Sequence, residues 1–251
     1  MILDMDGVLW RGEKPLGELS VLFEEIDRRG FKIAMVTNNA MFTVEQYLDK
    51  LRSFGVELAA WQIINSSQAA AHYLQRLYPR GGPVFIIGEE GLTQVLSNSN
   101  FYQTEKTVLA VVVGLDRSLT YKKLEVAALL IQAGAEFIGT NPDRSFPTPY
   151  GLVPGAGAIL AALEAATNVK PIIVGKPSPE MYLLALERLS ASASETLVVG
   201  DRLETDILGA QTLGCRTALV LSGVSSEEHA SHWSPAPDFV ARDLTELLEM
   251  L

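Results

Sequence analysis

Short apolar runs alternate with amphipathic stretches along this chain, and the two periods predict different elements. Residues 16–29 place Leu19, Leu22, Phe23 and Ile26 on one helical face, and Gly30 closes that helix. IAMVT at 33–37 reads as a strand, and VEQYLDKLRSF, ending at Gly55, as a second amphipathic helix. QIINSS and a helix from Ser67 to Leu77 follow, after which RGGP at 80–83 breaks the pattern and marks a boundary. A second series then runs through VFIIG at 84–88, LAVVVGLD at 109–116 and EFIGTN at 136–141, with helices over 91–96 and 121–133. PIIVGK and TLVVGD resume the first pattern. Such alternation predicts parallel βαβ units. The expected organisation is an α/β core formed by 1–79 and 171–251, with a smaller α/β domain inserted over 80–170.

Four of the apolar runs end in a residue suited to phosphate chemistry. MILDMD delivers Asp4 and Asp6, IAMVT delivers Thr37, PIIVGK delivers Lys176 and TLVVGD delivers Asp201. If these are buried strands of one parallel sheet, their carboxyl ends meet in the crevice where such sheets bind ligands. Two residues apart on an extended segment, Asp4 and Asp6 project to the same side, and Gly7 lets backbone approach a ligand. One carboxylate can attack a phosphoryl group while the other donates a proton and then activates water. Taken alone, Asp-Gly after a strand is equally a turn, Thr37 a cap, Asp201 the cap of a following helix and Lys176 a solvated surface residue. Their joint occurrence at strand ends is what argues for a site.

Asp201 and Asp206, in GDRLETDI, add two carboxylates. Two anions about 4 Å apart repel by roughly 4 kcal/mol at an effective dielectric near 20, so a converging set calls for a cation. Neither His nor Cys accompanies these oxygens, which suits a hard ion such as Mg²⁺. Thr37 opens TNN, where its hydroxyl and the backbone amides of Asn38 and Asn39 can hold phosphate oxygens. Lys176 can supply a charge-assisted contact to phosphate and nucleophile.

Composition narrows the classes. With 48% hydrophobic and 20% charged residues the chain has globular composition, and its longest apolar stretches are strand-length, so no membrane span is expected. Twenty basic against thirty acidic residues give a formal charge of −10, which opposes nucleic-acid binding and means that any phosphate site must concentrate positive charge locally. The single cysteine, Cys215, sits in the apolar run CRTALVL and reads as packing, in keeping with a reducing, cytoplasmic location. No signal peptide is read at the start, and only three residues precede Asp4, as a trimmed N-terminus would leave.

In order, DMDGVLW, VTNN, GKPSPEMY and GDRLETDI resemble motifs I to IV of the haloacid dehalogenase superfamily of phosphohydrolases. The insertion between TNN and GKP, with VVVGLDRSLTY and GTNPD, resembles the type IIA branch that includes NagD-like and 4-nitrophenylphosphatase-like enzymes. The resemblance spans essentially the whole chain. It implies a Rossmann-like parallel sheet core with an inserted C2-type α/β cap and phosphatase activity on a small phosphorylated metabolite. It further implies Asp4 as the nucleophile that becomes an aspartyl phosphate, Asp6 as general acid and base, and Thr37, Lys176 and Asn38 around the transferring phosphoryl group. Mg²⁺ would be held by the Asp4 carboxylate, the Asp6 main-chain carbonyl and Asp201, with Asp206 behind them. In the cap, Asn141 and Asp143 of GTNPD become candidate substrate-binding residues, although an Asn-Pro-Asp turn accounts for them as well. Asp116 and Arg117 are further candidates. Cap surfaces often mediate dimers in this group, so the resemblance makes a homodimer through the cap one candidate assembly and leaves the oligomeric state open.

Two rival readings use the same groups. A receiver-like phosphoacceptor module also needs aspartates, a Thr, a Lys and Mg²⁺, but neither a second aspartate two residues after the first nor a large insertion. A phosphomutase of the same superfamily is compatible with all four motifs.

Overall fold

The computed structural model describes residues 1–148 and 150–251, and for 146–148 the backbone alone. In chain order the strands are β1 (Ile2–Asp4), β2 (Trp10–Arg11), β3 (Lys14–Pro15), β4 (Ala34–Thr37), β5 (Ile63–Asn65), β6 (Gly82–Ile87), β7 (Phe101–Gln103), β8 (Ala110–Val113), β9 (Glu136–Gly139), β10 (Ser145–Thr148), β11 (Gly151–Pro154), β12 (Ile172–Ile173), β13 (Leu197–Gly200), β14 (Arg216–Val220) and β15 (Phe239–Ala241). The helices are α1 (Leu19–Arg28), α2 (Val44–Ser53), α3 (Ser66–Leu77), α4 (Glu90–Asn98), α5 (Tyr121–Gln132), α6 (Ala156–Thr167), α7 (Glu180–Leu189), α8 (Leu208–Thr212), α9 (Glu227–Ser231) and α10 (Leu244–Met250). Among the described residues no helix is long and apolar enough to cross a membrane.

The chain forms two compact units. One comprises Met1–Thr37, Val44–Ile64 and Lys176–Leu251, the other Asn38–Thr43 and Asn65–Gly175. The main segment of the second unit thus begins at Asn65, where the sequence pattern set the boundary at 80. α3 groups with it because its alanine-rich face packs on α4. Asn65 starts this helix by a reciprocal cap, accepting from Gln68 N at 3.0 Å while its own N–H donates to Gln68 Oε1 at 3.3 Å.

In the first unit a six-stranded sheet runs β15-β14-β13-β1-β4-β5, with parallel pairing from β15 through to β4. The strand order reverses at β1, whose neighbours are β13 on one side and β4 on the other. Ile2, Leu3, Ala34, Met35, Val198 and Val199 are fully buried or nearly so, as both-face coverage by helices requires. Leu19, Leu22, Phe23 and Ile26 of α1 are buried against this sheet's core, each contributing roughly 1.5–3 kcal/mol. Cys215 is buried as packing.

The second unit carries a five-stranded parallel sheet, β12-β9-β8-β6-β7, and the antiparallel β10–β11 hairpin. PIIVGK does not resume the first sheet as its position in the sequence suggested. Its strand, β12, pairs with β9 in the second sheet, Ile172 opposite Ile138. Lys176 is therefore delivered by a loop leaving the second sheet, whereas Asp4, Thr37 and Asp201 come from adjacent strands of the first. An exposed Ile172 and half-buried Ile173 carry the apolar character of a strand without a mark of which sheet receives them.

Asp116, in the turn after β8, is buried and fully engaged. Oδ1 accepts from Ser118 N and Oγ, both at 2.8 Å, and Oδ2 pairs with Lys123 Nζ at 2.6 Å. Burial pushes this carboxyl up, but Lys123 and Ser118 outweigh it and hold the group below the usual carboxylate range. A depressed folded pKa contributes stability above the unfolded value of about 3.9, lost as pH falls through the folded value. Asp116→Asn is expected to destabilise the protein by about 1.5–3 kcal/mol at neutral pH and by progressively less below about pH 4. Chemical denaturation at both pH values checks this, and a pH-independent difference would contradict it.

Candidate active site

Asp4 is the last residue of β1, and Asp201 follows directly on β13, the strand paired with it. Leu3 lies opposite Val199, so the two carboxylates leave the sheet at neighbouring positions. Thr37 ends β4 on the other side of β1, with Asp4 opposite Val36. The three strand ends predicted to converge thus do so at the switch point of the sheet.

Lys176 completes the group from its loop. Its Nζ donates to Asp4 Oδ1 and, at 2.6 Å, to Asp206 Oδ1. Asp4, Lys176, Asp201 and Asp206 are all buried, and one oxygen from each of the three carboxylates lies within 4.8 Å of the others. Asp206 sits in a π-helical turn, Leu203–Ile207, whose geometry lets the side chain return to its own start: Oδ2 accepts from Arg202 N at 3.0 Å. Tyr182 of α7 donates its hydroxyl to the Asp206 carbonyl at 3.1 Å, tying down that turn. Both Asp206 oxygens are engaged, which makes this residue the holder of Lys176.

Asp201 is shaped by missing atoms. Its Oδ2 accepts from Val224 N at 2.8 Å, and a Cβ at Gly223 would lie 1.9 Å from that oxygen. A Cβ at Gly7, whose φ is +88°, would lie 2.5 Å from the same atom. The two glycines leave space around a carboxylate that faces other carboxylates. Oxygen-only donors, burial and such a cradle fit a small hard divalent cation.

Asp6 differs from the expectation of an extended Asp-Met-Asp segment. β1 stops at Asp4, and Asp6 is exposed in the turn closed by Gly7 N donating to Trp10 O at 2.8 Å. Its Oδ1 accepts from Trp10 Nε1 at 3.0 Å. Its carboxylate stands outside the three-carboxylate group.

Electrostatics follow from this packing. Burial raises the Asp4 carboxyl well above its ordinary value; Lys176 opposes the shift, while Asp206 and Asp201 add to it. Asp201 is pushed up to about 6 by burial and by the charge of Asp206. Although Asp6 reaches solvent, the protein packed around its carboxyl raises it more moderately, against the pull of Lys50 and the Trp10 N–H. Burial would strip the proton from Lys176, but the charges of Asp206 and Asp4 outweigh it and drive this pKa well above the usual lysine value. Lys176 therefore remains an ammonium. With all three ionised, three carboxylates against one ammonium would leave a surplus of negative charge, which is what raises Asp4 and Asp201 further.

Thr37 is buried and shares a hydrogen bond with Tyr47 of α2. The remaining candidates belong to the second unit. There the Asn38 carbonyl accepts from Ser66 Oγ at 2.6 Å and Asn141 Nδ2 at 2.9 Å, and Asn39 Oδ1 accepts from Met41 N at 2.9 Å. Asn141 Oδ1 also accepts from Asp143 N at 3.1 Å, so this amide binds two stretches of backbone together. Arg117 pairs with Glu89 at 3.2 Å. Tyr47, Tyr182 and the Arg202 N–H escaped sequence reasoning, because a buried hydroxyl bonded to a carbonyl or a threonine leaves no periodic signal.

A buried aspartate at the switch point of a parallel sheet, gripped by a lysine and flanked by two more carboxylates, is an arrangement suited to phosphoryl transfer on an α/β fold. A family described as haloacid dehalogenase-like hydrolase matches residues 1–102, and a HAD-hydrolase-like family matches residues 173–247. The 5'-nucleotidase YutF of Bacillus subtilis is 36% identical over 245 residues, covering 98% of this chain and 95% of that protein. The structure of a p-nitrophenyl phosphatase from Archaeoglobus fulgidus superposes with a TM-score of 0.94 at 33% identity, covering 100% of this chain and 98% of that one. A glycerol phosphate phosphatase, Rv1692 of Mycobacterium tuberculosis, crystallised in complex with magnesium, matches at a TM-score of 0.90 and 33% identity, covering 98% of this chain and 75% of that one. The chain belongs to the haloacid dehalogenase-like hydrolases, in the capped type IIA branch, and is a phosphoric monoester hydrolase.

Proposed function

We propose that this protein hydrolyses small phosphomonoesters, such as sugar phosphates, nucleotides or p-nitrophenyl phosphate, by a Mg²⁺-dependent route through an aspartyl phosphate on Asp4. The observation that carries the reading is the Lys176 ammonium clamped between Asp4 and Asp206 beside Asp201. Lys176 neutralises charge on the incoming phosphate and fixes one oxygen of Asp4, which leaves the other aimed at phosphorus. Asp4 attacks, the ester P–O bond breaks, and Asp6 gives its proton to the departing oxygen. Asp6, now a carboxylate, takes a proton from the water that attacks the aspartyl phosphate, and Asp4 and inorganic phosphate are released. Thr37, with the backbone at Asn38, holds phosphoryl oxygens. The Asp4 and Asp201 carboxylates and the Asp6 carbonyl would hold Mg²⁺, which offsets the surplus negative charge when bound.

A panel of glycerol phosphate, glucose 6-phosphate, AMP and p-nitrophenyl phosphate, assayed with Mg²⁺, tests the reading. Sustained phosphate release from at least one ester, at about 1–100 per second, is the expected result. A single burst without turnover would favour the receiver-like module. Transfer to a sugar phosphate in place of release would favour the mutase.

A further inference from the structure

Trp10 begins β2, is buried, and donates its indole Nε1–H to Asp6 Oδ1 at 3.0 Å. The face of that indole carries a cation, because Lys50 Nζ of α2 lies 4.5 Å from the ring centroid. The β2–β3 hairpin turn fixes this ammonium, which donates to the Gly12 carbonyl at 2.7 Å and lies 3.6 Å from Glu13 Oε1. A cation over an aromatic face draws π density toward itself, leaving the ring edge more positive and its N–H a stronger donor. A turn, a hairpin and a helix thus meet on one carboxyl group.

We propose that Trp10, backed by Lys50, is a positioning residue for proton transfer by Asp6; the inference rests on the phosphatase reading above. A carboxylic acid carries its proton on one oxygen and accepts hydrogen bonds best on the other. An N–H fixed on Oδ1 therefore assigns the proton to Oδ2. As the phosphoryl group passes to Asp4, the ester P–O bond and the Asp6 Oδ2–H bond break, and the proton joins the departing alkoxide to give the alcohol. The carboxylate left behind keeps the Trp10 hydrogen bond. When water attacks the aspartyl phosphate, Oδ2 takes its proton and the acid form returns. Trp10 holds the carboxyl plane through both transfers, so losing its N–H costs most where the leaving group most needs a proton.

Leaving-group dependence is the readout that a merely structural role would not move. p-Nitrophenolate departs without a proton, whereas an alkoxide does not. Trp10→Phe keeps an aromatic ring facing Phe54, 6.1 Å away in the parent, and removes the N–H. For the alkyl ester of the panel with the highest wild-type rate, kcat/KM is expected to fall about tenfold, while for p-nitrophenyl phosphate it stays within about threefold. Lys50→Met, which keeps a long chain over the ring without its charge, shifts the same ratio in the same direction by a smaller factor. It carries the test where Trp10→Phe lowers folding yield. Equal losses on both esters, an unchanged ratio in both variants, or a wild-type enzyme that cleaves only the aryl ester overturns the proposal. Wild-type protein that releases phosphate from no ester overturns the phosphatase reading instead.

Discussion

Asp4→Asn protein is expected to release phosphate from p-nitrophenyl phosphate at least about a thousandfold more slowly than wild type, while remaining folded. The amide is not a nucleophile, and the neighbouring carboxylates are unsuited to replace it: Asp206 is engaged at both oxygens and Asp201 is held by Val224 N. Stability should survive because the change removes one member of a repelling buried set, whose burial already disfavours the charged form. Lys176 keeps Asp206 at 2.6 Å, so the substitution strands no unpaired buried charge. A melting temperature within about 5 °C of wild type, measured beside the phosphate assay, separates lost chemistry from lost fold. Turnover at the wild-type rate would remove Asp4 from its assigned role and take the mechanism with it.

Asp201→Asn should be nearly as damaging, and it also reports on the cation. With the surplus negative charge of the buried cluster balanced, wild-type protein should gain stability from Mg²⁺ by mass action, about 2.7 kcal/mol at a concentration a hundredfold above the dissociation constant. For a chain of this size that is about 5–10 °C in melting temperature. In Asp201→Asn the increment should fall to about half or less, and Mg²⁺-dependent turnover should drop by about a hundredfold or more. Titrating Mg²⁺ and Ca²⁺ in parallel with thermal melts makes the measurement independent of catalysis. A variant whose melting temperature still climbs with Mg²⁺ as steeply as wild type would place the cation elsewhere.

The strands of the first sheet were legible because ILD, AMVT and LVVG are short, apolar on both faces and cut off by polar residues. α1 was legible from the spacing of Leu19, Leu22, Phe23 and Ile26, all buried in the fold. Asp4 and Asp201 could be read because each closes a run of this kind, so adjacency of strands implies adjacency of side chains, whereas Asp206 arrives on a π-helical turn beyond its strand. Sheet membership could not be read, as β12 shows, since an Ile-Ile strand fits any parallel edge. The β10–β11 hairpin was not predicted, because its strands carry prolines and a glycine, residues that signal turns. Asp6 was placed on a strand that ends two residues too soon for it, and its partner Trp10 is set by hairpin pairing that two-residue strands do not announce. The unit boundary moved from 80 to 65 because a helix's allegiance depends on which neighbour covers its small-residue face. RGGP marks only where a turn occurs.

Pairing of β1 with β13 joins the first strand of the chain to one of the last, Leu3 beside Val199. On the ribosome, Asp201 follows Asp4 by about 10–40 s at ordinary elongation rates. Throughout that interval a hydrophobic strand has one open edge, and nascent or prematurely terminated chains present it to one another.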